Sequence, residues 1–191
     1  PPFVEVILGA LFDNGVITHE YGHGISTRLT GGPSNSSCLY NIDINDDGSA
    51  DGEQMGEGWS DFYALALTGK AGDSGEDARG IGTYVSGQKV NGRGIRHYPY
   101  STDLNISPVT YDYIKGTNIP HGVGEVWAAA IWDLYWEFVN LYGFDPELKN
   151  ENAGNFKALL LVTDGLKMQA CNPGFLDGRD AILMADEINY G

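Results

Sequence analysis

Cations are scarce in this chain. Eleven Lys and Arg stand against 26 Asp and Glu over 191 residues, a formal net charge of -15. Such a surface repels phosphate backbones and anionic lipid, which makes nucleic acid and membranes poor partners. No apolar run approaches the roughly 20 residues of a transmembrane helix. A secretory signal is also missing, and the chain opens at Pro1-Pro2-Phe3 without a Met, so it reads as part of a longer precursor. Cysteine is limited to Cys38 and Cys171, which fit one disulfide or two buried thiols. The bridge is expected because other features point outside the cell; closing so long a loop stabilises by about 4–5 kcal/mol in the chain-entropy model. What is plentiful is apolar and aromatic matter, 42% and 12%, enough for residues 1–191 to build one domain or most of one.

Histidine is sparse too, four in all, yet two stand at 19 and 23 around a carboxylate, in His19-Glu20-Tyr21-Gly22-His23. On a helix, residues i and i+4 share a face, so both imidazoles can bind one metal ion. Glu20 is turned about 100° from His19. It is too far round to be a ligand but close enough to reach a water on the metal. Two nitrogen ligands and a flanking base are what zinc-assisted peptide hydrolysis requires.

The pattern is mainly helical, with long loops and little strand. Asp13 or Asn14 can cap a helix from about Gly15 to Ser26 that carries the His pair. Gly31-Gly32-Pro33 stops it, and a polar loop runs to 52. A second helix is expected from about Glu53 to Leu67. Residues 70–120 show irregular loops with room for a short hairpin. A third helix carries the apolar stripe Val123, Trp127, Ile131, Leu134, Phe138 and Leu141, with Glu125, Asp133 and Glu137 off it, and ends at Gly143. Phe156–Met168 reads as a fourth, and Asp177 can cap a fifth.

A catalytic zinc takes three protein ligands and keeps a position open. The best source of the third is Gly56-Glu57-Gly58-Trp59-Ser60-Asp61. Glu57 and Asp61 are again an i,i+4 pair, so Glu57 can ligate while Asp61 accepts the outward ring N–H of a zinc-bound His. The glycines beside Glu57 would let the two helices approach closely. Asp43 to Glu53 has a different metal pattern: Asp43, Asn45, Asp47 and Asp51 as side-chain oxygens, Ser49 by its carbonyl, and Gly48 at the turn. This is the first half of a calcium loop, with Glu53 or a water to complete the shell. Arg96 can hold a substrate carbonyl or pair with an acid.

HEYGHGIS at 19–26, RLTGGPSNSSC at 28–38, GEGWSD at 56–61, HGVGEVWA at 121–128 and CNPGF with RDAI between 171 and 182 resemble the fungalysin family of secreted zinc endopeptidases, relatives of thermolysin. The resemblance implies His19, His23 and Glu57 as zinc ligands, Glu20 as catalytic base, and the thermolysin-like C-terminal helical subdomain as fold. It also implies that His121, ahead of the third helix, steadies the oxyanion. A tyrosine assists in that group, and Tyr40, Tyr111 and Tyr113 are candidates. Protein or peptide substrates, an extracellular location and a strand-rich portion preceding the zinc helix in the precursor follow from the same likeness. The other reading of these residues is a metal-stabilised binding or structural module without catalysis. Glu20 separates the two, since a structural site does not need it.

Overall fold

The computed structural model describes residues 9–39, 43–44 and 50–191, with only the backbone at 43, 44, 50 and 51. It is mainly helical. In chain order come α1 (Asn14–Leu29), a two-stranded ribbon of β1 (Asp43–Ile44) and β2 (Ala50–Asp51), then α2 (Gly56–Leu67). A 3-10 helix (Tyr111–Gly116), α3 (His121–Tyr142), α4 (Gly154–Met168) and α5 (Phe175–Tyr190) follow. Successive helices pack on one another, α1 on α2, α2 on α3, α3 on α4 and α4 on α5.

Helix ends follow local chemistry. Asp13 caps α1, its carboxylate accepting from the Val16 N–H at 3.2 Å. The same side chain accepts from Tyr84 and Val85 N–H, which ties the loop at 84–85 to the start of α1. Gly143 closes α3 with φ +80°, its N–H donating to Val139 O. At α5 the helix begins two residues before Asp177. Asp177 sits in the first turn and accepts from Gly174 N–H at 2.9 Å, so it closes the end from inside. α2 likewise starts at Gly56, later than the apolar pattern suggests, and His121 is the first residue of α3 rather than a residue ahead of it.

α2 is the central helix, buried from Gly58 through Ala66. Close crossings set its place. A Cβ on Gly22 of α1 would lie 2.8 Å from Ser60 Cα, and one on Gly58 would lie 3.0 Å from the Trp127 side chain and closer still to Gly124 O. The α1–α2 approach therefore depends on Gly22, whereas Gly58 serves the α2–α3 contact; beside Gly56 the nearest atoms are those of Gln54. Aromatic edges fill the centre, with Trp59 against Trp127 at 5.0 Å and Trp132 stacked on Tyr135 at 4.8 Å.

On α3, Val123, Trp127 and Ile131 are buried as the stripe requires, but Leu141 is 72% exposed because the buried face near that end runs through Trp132, Tyr135, Trp136 and Val139 instead. Glu125, expected off the stripe, is buried. Its carboxylate is satisfied by the His97 N–H, the His97 ring and the Tyr98 N–H, which removes the cost of burying it. Between 70 and 120 the expected hairpin is replaced, among the described residues, by isolated pairings of Arg79 with Tyr100 and Ile81 with Gly94. Cys38 and Cys171 form a disulfide across 133 residues, tying the loop after α1 to the approach of α5.

Within the acidic loop, Asn45, Asp47 and Ser49 lie outside the described residues, as do the side chains of Asp43 and Asp51 and the whole of Tyr40. Backbone pairing of Asp43 with Asp51 and Ile44 with Ala50 closes the base of that loop. Glu53 turns to the Phe175 N–H and the Tyr111 hydroxyl, at 2.7 and 2.6 Å.

Replacing Gly58 with Ala should cost about 1–3 kcal/mol through overpacking. Gly24→Ala, whose new methyl meets nothing closer than 3.5 Å, should be neutral or stabilise by up to about 1 kcal/mol. Urea denaturation of the two variants checks this; equal stabilities would show that the α2–α3 crossing does not need a bare backbone.

Candidate metal centre

α1 and α2 bring the His pair and Glu57 to one point. His19 Nε2 lies 3.1 Å from His23 Nε2 and 3.3 Å from Glu57 Oε2, and His23 Nε2 lies 3.5 Å from Glu57 Oε1. Among the described residues these are the group whose donor atoms converge within 4.8 Å. Bonds of about 2.0–2.2 Å in a tetrahedral zinc site place neighbouring ligand atoms about 3.3–3.5 Å apart. The spacings here are close to that range, with each imidazole approaching a different oxygen of Glu57, and two nitrogens with a carboxylate suit the metal's chemistry.

Behind the triangle the site is dry. Asp61 is fully buried, and each of its oxygens takes two donors. Oδ1 accepts from His19 Nδ1 at 2.7 Å and Arg96 Nη2 at 2.8 Å. Oδ2 accepts from Arg96 Nε at 2.6 Å and the Tyr100 hydroxyl at 2.5 Å. Burial would raise the Asp61 pKa, but the guanidinium of Arg96 and the His19 hydrogen bond outweigh it and hold the carboxyl at about 2. Glu57 is governed by the same contest. Burial pushes it up, the His19 contact and neighbouring positive charge pull it down, and it stands at about 2. For His19, burial acts downward and is overcome by hydrogen bonds to Asp61 and Glu57, which lift it to about 9. His23 moves down, through burial and the nearby His19.

Arg96 is 4% exposed and also reaches Glu57 Oε2 from Nη2 at 3.1 Å. Its observed contacts are those of the acid-pairing alternative, although it also lines a cavity of about 380 Å³ with His97, Asn118 and His121. On the wet side, Glu20 is exposed on α1. The His121 side chain is 54% exposed, with Nε2 3.6 Å from Glu57 Oε2. Of the tyrosines singled out, Tyr111 turns away to Glu53, and Tyr113 packs its ring against His97 and Tyr98.

Two neighbours of this site carry no sequence signal. Tyr100 and the Glu125–His97 pair come from a loop without periodicity and from a helix position that reads as polar surface. Only the density of aromatic and basic residues in Arg96-His97-Tyr98-Pro99-Tyr100 hints at a buried loop.

The profile of the fungalysin metallopeptidase (M36) family matches residues 6–191. The chain belongs to that family. It is 41% identical over 187 residues to Extracellular metalloproteinase 2 of Phaeosphaeria nodorum, covering 94% of this chain and 28% of that protein. To Extracellular metalloproteinase mep of Aspergillus fumigatus it is 40% identical over 181 residues, with 92% and 27% covered. A relative from Arthroderma gypseum, Extracellular metalloproteinase 2, is 41% identical over 179 residues, 91% of this chain and 27% of the relative. The fungalysin chain described here thus spans little more than a quarter of these relatives' length. No helix among its described residues is long and apolar enough to cross a membrane.

Replacing Arg96 with Met would leave Asp61 buried with half its donors. The expected loss is about 3–5 kcal/mol, the usual result of removing one partner from a buried ion pair. Denaturation in the presence of a chelator isolates this effect from metal binding. A loss below about 1 kcal/mol would mean that the buried carboxylate finds other compensation.

Proposed function

We propose that this chain carries the zinc centre of a secreted endopeptidase, with His19, His23 and Glu57 as metal ligands and residues 1–191 as one catalytic subdomain. The observation that carries this reading is the triangle of His19 Nε2, His23 Nε2 and Glu57 at 3.1, 3.3 and 3.5 Å. Family membership and relatives named extracellular metalloproteinases support it. The substrates are proteins or peptides.

Held by His19, His23 and Glu57, a zinc ion would supply Lewis acidity toward a peptide carbonyl and would ease deprotonation of a water near neutral pH. Glu20, on the solvent side of α1, takes one proton from the attacking water as its oxygen bonds to the carbonyl carbon. The C–N bond then breaks, and Glu20 delivers that proton to the leaving nitrogen, so no external acid is consumed. His121 donates from Nε2 to the oxygen of the tetrahedral intermediate. Asp61 holds His19 Nδ1–H, which leaves Nε2 of the same ring free to ligate. Arg96 keeps Asp61 and Glu57 in register, and Nη1, without a protein acceptor among the described residues, faces substrate carbonyls from the wall of the cavity it shares with His121.

The solvent-side carboxylate sets this reading against a purely structural metal site, where an exposed Glu beside the ligands has no task. Glu20→Gln should retain one zinc per chain while proteolysis of casein falls by about 10²–10⁴-fold, the span of general acid–base contributions. Zinc content by atomic emission and turnover on the same samples give both readouts. Zinc-replete protein with undiminished turnover would reject Glu20 as the base. Absence of zinc from the unaltered protein would reject the metal site itself.

A further inference from the structure

Asp61 accepts four hydrogen bonds, as many as an ionised carboxylate has lone-pair sites. Three of its donor atoms belong to His19 and Arg96. The fourth is the hydroxyl of Tyr100, 39 residues away in sequence and 2.5 Å from Oδ2. Tyr100 is 1% exposed, so it meets neither solvent nor substrate. Its backbone is held separately: its N–H donates to Arg79 O at 2.7 Å and its carbonyl accepts from Arg79 N–H at 2.9 Å. The hydroxyl is therefore delivered to Asp61 by a strand pairing that does not depend on the metal centre.

We infer that Tyr100 is a positioning residue for the metal centre: by occupying the last acceptor site of Asp61 it locks that carboxylate, and through it the ring of His19. The inference rests on the zinc reading above. With all sites of Asp61 taken, the carboxylate cannot rotate without breaking several bonds at once, and His19 Nδ1–H keeps a fixed acceptor. The opposite ring nitrogen then stays aimed at His23 and Glu57. Without the hydroxyl, Oδ2 keeps only Arg96 Nε, and the carboxylate gains freedom to turn away from the ring.

The test compares Tyr100→Phe with Tyr63→Phe. Tyr63 is an equally apt control, since its buried hydroxyl sits on α2 but pairs with Thr163 Oγ1 at 2.8 Å, on the α4 side. Both variants lose one buried hydroxyl contact, and Tyr100→Phe, whose partner is a buried carboxylate, should lose more stability than Tyr63→Phe. Zinc affinity, measured by competition with a chromophoric chelator, should fall about 10-fold in Tyr100→Phe, at the low end of the 10–100-fold seen when partners behind a ligand are removed. In Tyr63→Phe it should stay within about 2-fold of the unaltered chain, because its lost hydroxyl touches no ligand-holding group. Equal affinity in Tyr100→Phe and the unaltered protein overturns the inference and leaves the zinc reading standing. Failure of the unaltered protein to take up zinc overturns both. Should Tyr100→Phe not fold, the unaltered chain still decides. Its Tyr100 hydroxyl proton should be slow to exchange and should shift on zinc addition while that of Tyr63 does not; a Tyr100 resonance indifferent to zinc counts against the inference.

Discussion

A carboxylate with no access to water is the constraint on which this structure turns. Taking the charge of Asp61 out of solvent costs several kcal/mol unless every lone pair is used. The chain uses them all, with a ring nitrogen from α1, two guanidinium nitrogens and a phenol. Those donors come from two separated stretches of sequence, α1 and the loop that carries both Arg96 and Tyr100. Satisfying one buried anion therefore fixes how α1, α2 and the 94–100 loop sit together. The convergence of His19, His23 and Glu57 goes with that fit.

Helix spacing makes the fit reachable. Histidine is a short side chain, so His19 can meet both Asp61 and Glu57 only if α1 and α2 run close together. Gly22 provides this, because its bare Cα faces Ser60, the residue before Asp61, and any side chain there would push the axes apart. On the other flank, Gly58 and Gly124 press α2 onto α3, which carries His121 to within 3.6 Å of Glu57. Small residues at two crossings thus set the depth of the site, and charged residues between them set its chemistry.

The sequence makes the donor types and the helical periods legible, and less of their packing. The i,i+4 spacing of His19 with His23, and of Glu57 with Asp61, is visible because a helix has one period and both pairs obey it. That α1 and α2 should face each other came from the chemistry of a shared ion together with the family likeness, not from either helix alone. Glu125 misled because a lone carboxylate on an amphipathic helix normally faces water; its burial depends on three donors from residues 97 and 98, which no local pattern announces. Tyr100, and which acids Arg96 pairs with, are hidden for the same reason. They lie in a segment without regular structure, where only long-range contacts define direction. The glycines beside Glu57 announce a close crossing but not its partner: Gly58 serves α3, and the α1 contact rests on Gly22.

The site is also divided by water. His19, Asp61, Arg96 and Tyr100 are buried, while Glu20 and His121 are exposed and the His23 side chain is 32% exposed. On the dry side electrostatic contacts are strong and unscreened, which suits groups that must not move. On the wet side Glu20 and His121 keep their contact with solvent. Arg96 spans the boundary. Its Nε and Nη2 are engaged by Asp61 and Glu57, and their departure would take from Asp61 half of its donors. The buried groups thus hold one another in place on the side away from water, while Glu20 and His121 stand on the exposed side of the same cluster.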